Sequence, residues 1–170
     1  MLTELEGSIL SELHHRGRQT AFQVRRSFST SPSTEWRGSA GAVYPAIKRL
    51  ERDGLIEGAA TGDRRASRLL SITAAGLAAM TEWACDPARA CSVGIDPFRM
   101  RAGIWMGLDA ARRAKVVAAV RRELAASVEA LKTYRRHGDA IELASVELSL
   151  RQQRARLEWL EQTAMAVGDA

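Results

Sequence analysis

Apolar positions recur along this chain mostly at helical spacing, with one region where short apolar runs replace that rhythm. Leu5, Ile9, Leu10 and Leu13 repeat at intervals of three and four behind Thr3 and Glu6, a capping-box pair, and ahead of Gly17. This predicts a first helix whose negative end carries His14, His15 and Arg16. A second box, Thr20 with Gln23, opens a short helix with Phe22, Val24 and Phe28 as its apolar side. The Ser-, Thr-, Pro- and Gly-rich stretch from Ser29 to Gly41 reads as a loop, and Ser39 as the N-cap of a third helix. In that helix Val43, Ile47 and Leu50 share one face, Tyr44, Lys48 and Arg52 form an adjacent stripe, and Arg49 lies farther round. Proline is tolerated only near a helix start, so Pro45 predicts an irregular turn over 39–44 and regular helix from there to Asp53, ended by Gly54.

The rhythm then changes. The runs "LIEGAA" and "SRLLSI" read as two strands around "TGDRRA", where Gly62-Asp63 is turn chemistry and Arg64 and Arg65 sit at the tip. Thr73 caps a fourth helix running through Trp83. Three helices, a hairpin and a helix make a winged helix-turn-helix, whose third helix has the form that enters a major groove. "CDPARACSVGIDP" reads as a linker, and helical spacing resumes over 98–108, 109–136 and 140–166. Val117, Val120, Leu124, Val128 and Leu131 form one stripe; Leu143, Val146, Leu150, Leu157 and Leu160 fit heptad positions, with Gln153 the polar exception and Arg151, Arg154 and Arg156 flanking. A lone two-helix hairpin cannot bury such stripes. Leu124, Leu131, Leu143, Val146, Leu150, Leu157 and Leu160 are therefore assigned to a dimer interface, with an intramolecular bundle as the alternative. The expected fold is mainly α. It comprises a winged helix-turn-helix domain (1–86: three helices plus a two-stranded wing), a linker (87–97) and a C-terminal three-helix dimerisation domain (98–170).

Composition narrows the function classes. With 46% apolar and 26% charged residues, the 170-residue chain has the makings of a packed core. No run of 18 apolar residues exists, and the opening "MLTELEGSIL" carries Glu4 and Glu6 and no basic start, unlike a secretory signal; the expected setting is the cytoplasm, without a membrane. The net charge of +5 favours an anionic partner, but residues 1–86 hold 11 basic and 10 acidic residues, so any DNA contact must rest on local patches. Cys85 and Cys91 lack a second ligand pair for zinc and read as reduced thiols. His14, His15 and His137 fall at helix ends, and neither a phosphate loop nor a paired nucleophile and base is present. The expectation is no enzyme, no metal and no cofactor. Trp36, Trp83, Trp105 and Trp159 are candidates to line an apolar effector pocket, though aromatics at such spacing more often build core.

Trp36, Ser39, Gly41, "VYPAIKRLERDGLI" from Val43 to Ile56, and "TAAG" from Thr73 to Gly76 resemble the PadR family of bacterial transcriptional regulators. Tyr44-Pro45 followed by Lys48-Arg49-Leu50 and Gly54-Leu55 is not required by winged helices in general. "FRMRAGIWMGL" (98–108) and "LEWLEQ" (157–162) are similar to the long C-terminal domain of one branch. The resemblance implies a homodimer on a palindromic DNA operator, acting as a repressor, and, as in several members, release by a small-molecule effector. It implies DNA contacts from Ser39, Tyr44, Lys48 and Arg49, and from Arg64 and Arg65 on the wing. Thr20-Ala21-Phe22 replaces the His-Gly-Tyr common in the family, so a phenol hydroxyl is missing at Phe22, and Leu69 and Leu70 stand where aromatics are common. The alternative is a winged-helix protein-interaction module that does not bind DNA. Against it stand two basic runs on adjacent elements of a groove-reading fold.

Overall fold

The computed structural model describes residues 1–31, 36–37, 40–60, 68–92, 94, 96–135 and 140–166. The chain forms two compact units, Met1–Ser92 and Val93–Ala170. In the first, α1 (Glu4–Arg16) and α2 (Ala21–Ser29) both start on complete capping boxes. The Thr3 hydroxyl accepts the Glu6 amide at 3.2 Å while the Glu6 carboxylate accepts the Thr3 amide at 3.0 Å, and Thr20 and Gln23 repeat the arrangement.

A 3-10 turn, Ala40–Ala42, leads into α3 (Val43–Arg52). The irregular turn is shorter than the sequence predicts, and regular helix begins two residues before Pro45. Pro45 is then the third helical residue, where its missing N–H would have had no partner in any case. At the other end Gly54 takes φ +69°. Its amide donates to the Glu51 carbonyl at 3.0 Å, and the Leu55 amide to the Leu50 carbonyl at 2.9 Å, a Schellman closure that turns the chain into the sheet.

The wing has the two expected strands, and among the described residues a third joins its sheet. β2 (Ile56–Ala60) and β3 (Arg68–Ile72) pair antiparallel from Ile56 opposite Ile72 to Ala60 opposite Arg68. The two-residue β1 (Gln19–Thr20) adds to the other edge of β3, in the order β1-β3-β2. Two residues are too few to show a strand period, so this pairing was invisible in the sequence. The turn residues Gly62, Asp63, Arg64 and Arg65 lie outside the described residues, as does Ser39. Ile9, Leu10, Leu13, Val24, Phe28, Val43, Ala46, Ile47, Leu50, Ile56 and Leu70 form the core of this unit.

The start of α4 (Ala74–Ala84) lies close against Leu55, the residue that joins α3 to β2. The Thr73 hydroxyl accepts the Gly76 amide at 3.0 Å and lies within donating distance of the carbonyls of Gly54 (2.8 Å) and Leu55 (3.1 Å). A β-carbon at Gly76 would fall 1.9 Å from the Leu55 carbonyl oxygen. Part of the expected linker is helical. Asp86 caps a single turn, α5 (Pro87–Ala90), and the Arg89 guanidinium donates to the Leu2 carbonyl and the Glu4 carboxylate at 3.0 Å each. The first half of that segment thus belongs to the first unit.

The second unit holds α6 (Pro97–Met106), α7 (Ala110–Arg135) and α8 (Ala140–Ala166). The expected break at His137-Gly138-Asp139 lies outside the described residues. α7 and α8 pair along their apolar stripes, with Val128, Leu131, Val146 and Leu150 in one cluster and Leu157 and Tyr134 packed against it. Leu124, Leu131, Val146, Leu150 and Leu160 are all buried within the single chain; of the stripe assigned to a second copy, only Leu143 is exposed. The two helices fill most of the seam from within. Gln153, the polar heptad position, donates to the Ser127 hydroxyl across the hairpin at 2.9 Å. Asp96 caps α6 and binds Arg156 of α8 through both carboxylate oxygens at 2.9 Å, while Phe98 packs edge-to-face on Trp105 and Trp159.

Overpacking generates a sharp contrast between two glycines. Gly76→Ala should cost roughly 1–3 kcal/mol or more, because backbone rather than a flexible side chain blocks the new methyl. Gly41→Ala, with nothing within 4 Å of its β-carbon, should stay within about 0.5 kcal/mol of wild type. Urea midpoints at unchanged m-value measure both, and equal midpoints for the two variants would contradict this approach of α4 to the Leu55 carbonyl.

Candidate nucleic-acid interface

The candidate site is the outer face of α3, and its geometry follows from which face is buried. Val43, Ala46, Ile47 and Leu50 are buried. At about 100° per residue these four define one side, and Tyr44, Pro45, Lys48 and Arg52 fan across the opposite side. Tyr44 is 40% exposed despite its size. Lys48 is exposed and makes no ion pair or hydrogen bond among the described residues. Arg52, at the C-terminal end, pairs with its neighbour Asp53 at 2.8 Å.

Both flanks of this face are tied down. On one, Glu51 meets Arg68 of β3 at 3.0 Å, and the same guanidinium donates to the Gly58 carbonyl at 3.2 Å. Arg68, a cation at the start of the second wing strand, is thus engaged within the fold. On the other flank, Arg49 Nε lies 2.7 Å from Glu6 Oε1 of α1. Glu6 is only 8% exposed, and its second oxygen accepts the Thr3 amide and hydroxyl. Burial alone would raise the Glu6 carboxyl, but the Thr3 hydrogen bonds and Arg49 outweigh it and hold it below the usual glutamate range.

Of the residues the resemblance implies at DNA, the structure brings together Tyr44, Lys48 and Arg49 on α3; Ser39, Arg64 and Arg65 fall outside the described residues. Phe22, expected on the apolar side of α2, is instead 61% exposed at its first turn while Val24 and Phe28 are buried, and Arg26, one turn on and passed over in the sequence reading, is exposed beside it. Their spacing of four was the available signal. Glu6 had been read only as a capping residue; its partner lies 43 positions away, beyond any local pattern.

The four tryptophans are distributed within the units. Trp36 packs edge-to-face on Phe28 at 5.4 Å, and Trp83 lies so close to Gly7 that a β-carbon there would come within 2.4 Å of its ring. Trp105 and Trp159 flank Phe98 in the second unit. Cys85 and Cys91 are free and exposed. Among the described residues no group of three or more His, Cys, Asp or Glu side chains could hold a metal ion, and no helix is long and apolar enough to cross a membrane.

Residues 9–82 match the model of the transcriptional regulator PadR-like family. No curated protein matches the chain. Among solved structures, the chain is similar to Bacillus subtilis PadR in complex with operator DNA, with a TM-score of 0.80 at 18% identity over 97% of this chain and 98% of that one. It is also similar to the same protein with p-coumaric acid (TM-score 0.73, 16% identity, 100% and 99% covered). A PadR-like regulator from Bacillus cereus aligns at TM-score 0.72 and 17% identity over 96% and 95%. At these identities the likeness is one of fold, and it extends through the C-terminal helices.

The Glu6 site generates a pH prediction. A carboxyl whose folded pKa is depressed contributes stability that is fully present above its unfolded value, about 4.3, and is lost as pH falls through the lower folded value. Wild type should therefore exceed Glu6→Gln in stability near neutral pH, with the gap closing as the medium is acidified below about pH 4. Urea midpoints measured across that range test it; a gap that does not depend on pH would exclude this role for the charge.

Proposed function

We propose that the chain is a PadR-like transcriptional regulator, a family whose model its residues 9–82 match, and that it binds operator DNA in the cytoplasm as a homodimer and represses transcription. Its family is one of regulators, not enzymes. The observation that carries the reading is the outer face of α3. Four buried side chains hold the helix from behind, two flanking pairs restrain it, and Tyr44 and Lys48 stand outward. Lys48 reaches guanine acceptors or a phosphate, and Tyr44 a phosphate or a thymine methyl. Arg64 and Arg65, which fall between β2 and β3 in the sequence, meet the backbone or minor groove of the flanking duplex, and Ser39 contacts DNA just ahead of α3. A related fold is solved with p-coumaric acid, which supports release by a small organic effector in this chain too.

The dimer is formed by the second unit. Leu124, Leu131, Val146, Leu150 and Leu160 already have partners within the chain, so the contact with a second copy falls to what the hairpin leaves outside. Leu143, Leu148 and Trp159 of α8 are exposed, as are Met100 and Ile104 of α6, with Leu157 half-buried beside them. Leu148 and Ile104 are about 70% exposed, a burden for a lone chain. Leu148→Glu should dissociate the dimer with little loss of helix content, whereas Leu150→Glu, with an unpaired charge inside the hairpin, should unfold the unit. Light scattering and circular dichroism separate the two; a wild type already monomeric at micromolar concentration refutes the dimer.

Selection of sites from random duplex DNA tests the reading as a whole. Two symmetric α3 helices should recover a palindrome with half-site centres about 10 base pairs apart, or a multiple. Lys48→Ala should weaken the selected site by about 1–3 kcal/mol and relax one or two base pairs. Arg65→Ala should weaken all sequences alike and reduce the salt slope by about one. Absence of any salt-dependent duplex binding would instead favour a protein-interaction module, a reading to which the near balance of 11 basic and 10 acidic residues in 1–86 gives its support.

A further inference from the structure

We propose that Glu6 is a positioning residue for DNA binding, holding Arg49 so that the free end of its guanidinium is presented to a backbone phosphate; this rests on the DNA-binding reading above. Arg49 engages Glu6 through Nε alone, at 2.7 Å, and its two terminal nitrogens make no hydrogen bond among the described residues. The side chain keeps 44% of its surface exposed while that of Glu6 keeps 11%. A guanidinium is a rigid, planar fork, so anchoring Nε fixes the directions of the remaining N–H groups. An exposed arginine otherwise loses substantial rotamer freedom on engaging a phosphate; one already held by a buried carboxylate has lost much of it on folding.

The placement on α3 suits a phosphate rather than a base. Arg49 lies about 100° round the helix from Lys48, on the flank facing α1. The outward fan between that flank and the Glu51–Arg68 flank is where base edges would be met. Glu6 is itself fixed, because the Thr3 amide and hydroxyl occupy its second oxygen. The capping box of α1 thus serves two ends at once, starting that helix and orienting a cation on another.

Salt dependence distinguishes this role from a purely structural tie. Each phosphate contact contributes about 0.9 to the slope of log affinity against log salt. Arg49→Ala should lower that slope by about 0.9 and weaken binding roughly tenfold near 0.1 M salt. Glu6→Gln keeps a capping-box residue at that position but removes the charge that grips Arg49. It should weaken binding severalfold and lower the slope in part. Combined with Arg49→Ala it should add nothing further, since the two act as one unit. Thr3→Ala removes the hydroxyl but leaves the backbone amide on Glu6 Oε2 and the charge that grips Arg49, so it should lower the melting temperature and move the slope less than Glu6→Gln does. The full-length protein and its own selected duplex are used throughout. The proposal is overturned if Glu6→Gln changes the melting temperature but neither affinity nor slope, if its effect adds fully to that of Arg49→Ala, or if it tightens binding. A wild type that binds no duplex at all refutes the DNA reading itself, and this inference with it.

Discussion

Which face of α3 is left outward depends on the side chains that seat the helix, and in this protein that burden falls on Val43, Ala46, Ile47 and Leu50. Burying Val, Ile and Leu side chains contributes roughly 1.5–3 kcal/mol each, whereas partly exposed ion pairs of the Arg49–Glu6 and Arg68–Glu51 kind contribute about 1 kcal/mol or less. The apolar face therefore keeps α3 in place, and the pairs set how it is turned. Every neighbouring feature serves that seat. The Schellman closure at Gly54 delivers the chain into β2, and Thr73 and Gly76 bring α4 down onto the same corner.

The second unit solves a different problem. Its two long helices share an apolar seam that neither could bury alone, and the polar residues along it are paired across the hairpin. Gln153 reaches Ser127, and Tyr134 donates to Glu142 at 3.2 Å. The pairing of Asp96 with Arg156 fastens α6 to α8, and the Arg156 guanidinium lies 5.5 Å from the centre of the Phe98 ring. Such pairings favour one register of two otherwise repetitive helices, because a slip would separate half-buried polar groups from their partners. The pairing leaves Leu148 of α8 and Ile104 of α6 exposed.

Local order was legible in the residues themselves. Both capping boxes, the stop at Gly54, the strands on either side of the wing and the long helices of the second unit follow from spacing and cap chemistry, which act within a few residues. The division of α3 into an inward apolar face and an outward stripe of Tyr44, Lys48 and Arg52 is likewise a consequence of its period. Contacts between distant segments were decided only by the tertiary structure. The pairing of Gln19–Thr20 with β3 leaves no periodic trace in two residues. Arg68 looks like a wing cation until Glu51 and the Gly58 carbonyl are seen beside it. Arg49 looks like a free solvent-facing cation until α1 brings Glu6 across 43 positions. A heptad stripe states that a partner helix is needed but not which chain supplies it, because burial is the same from either source. Here α7 and α8 satisfy most of one another's need.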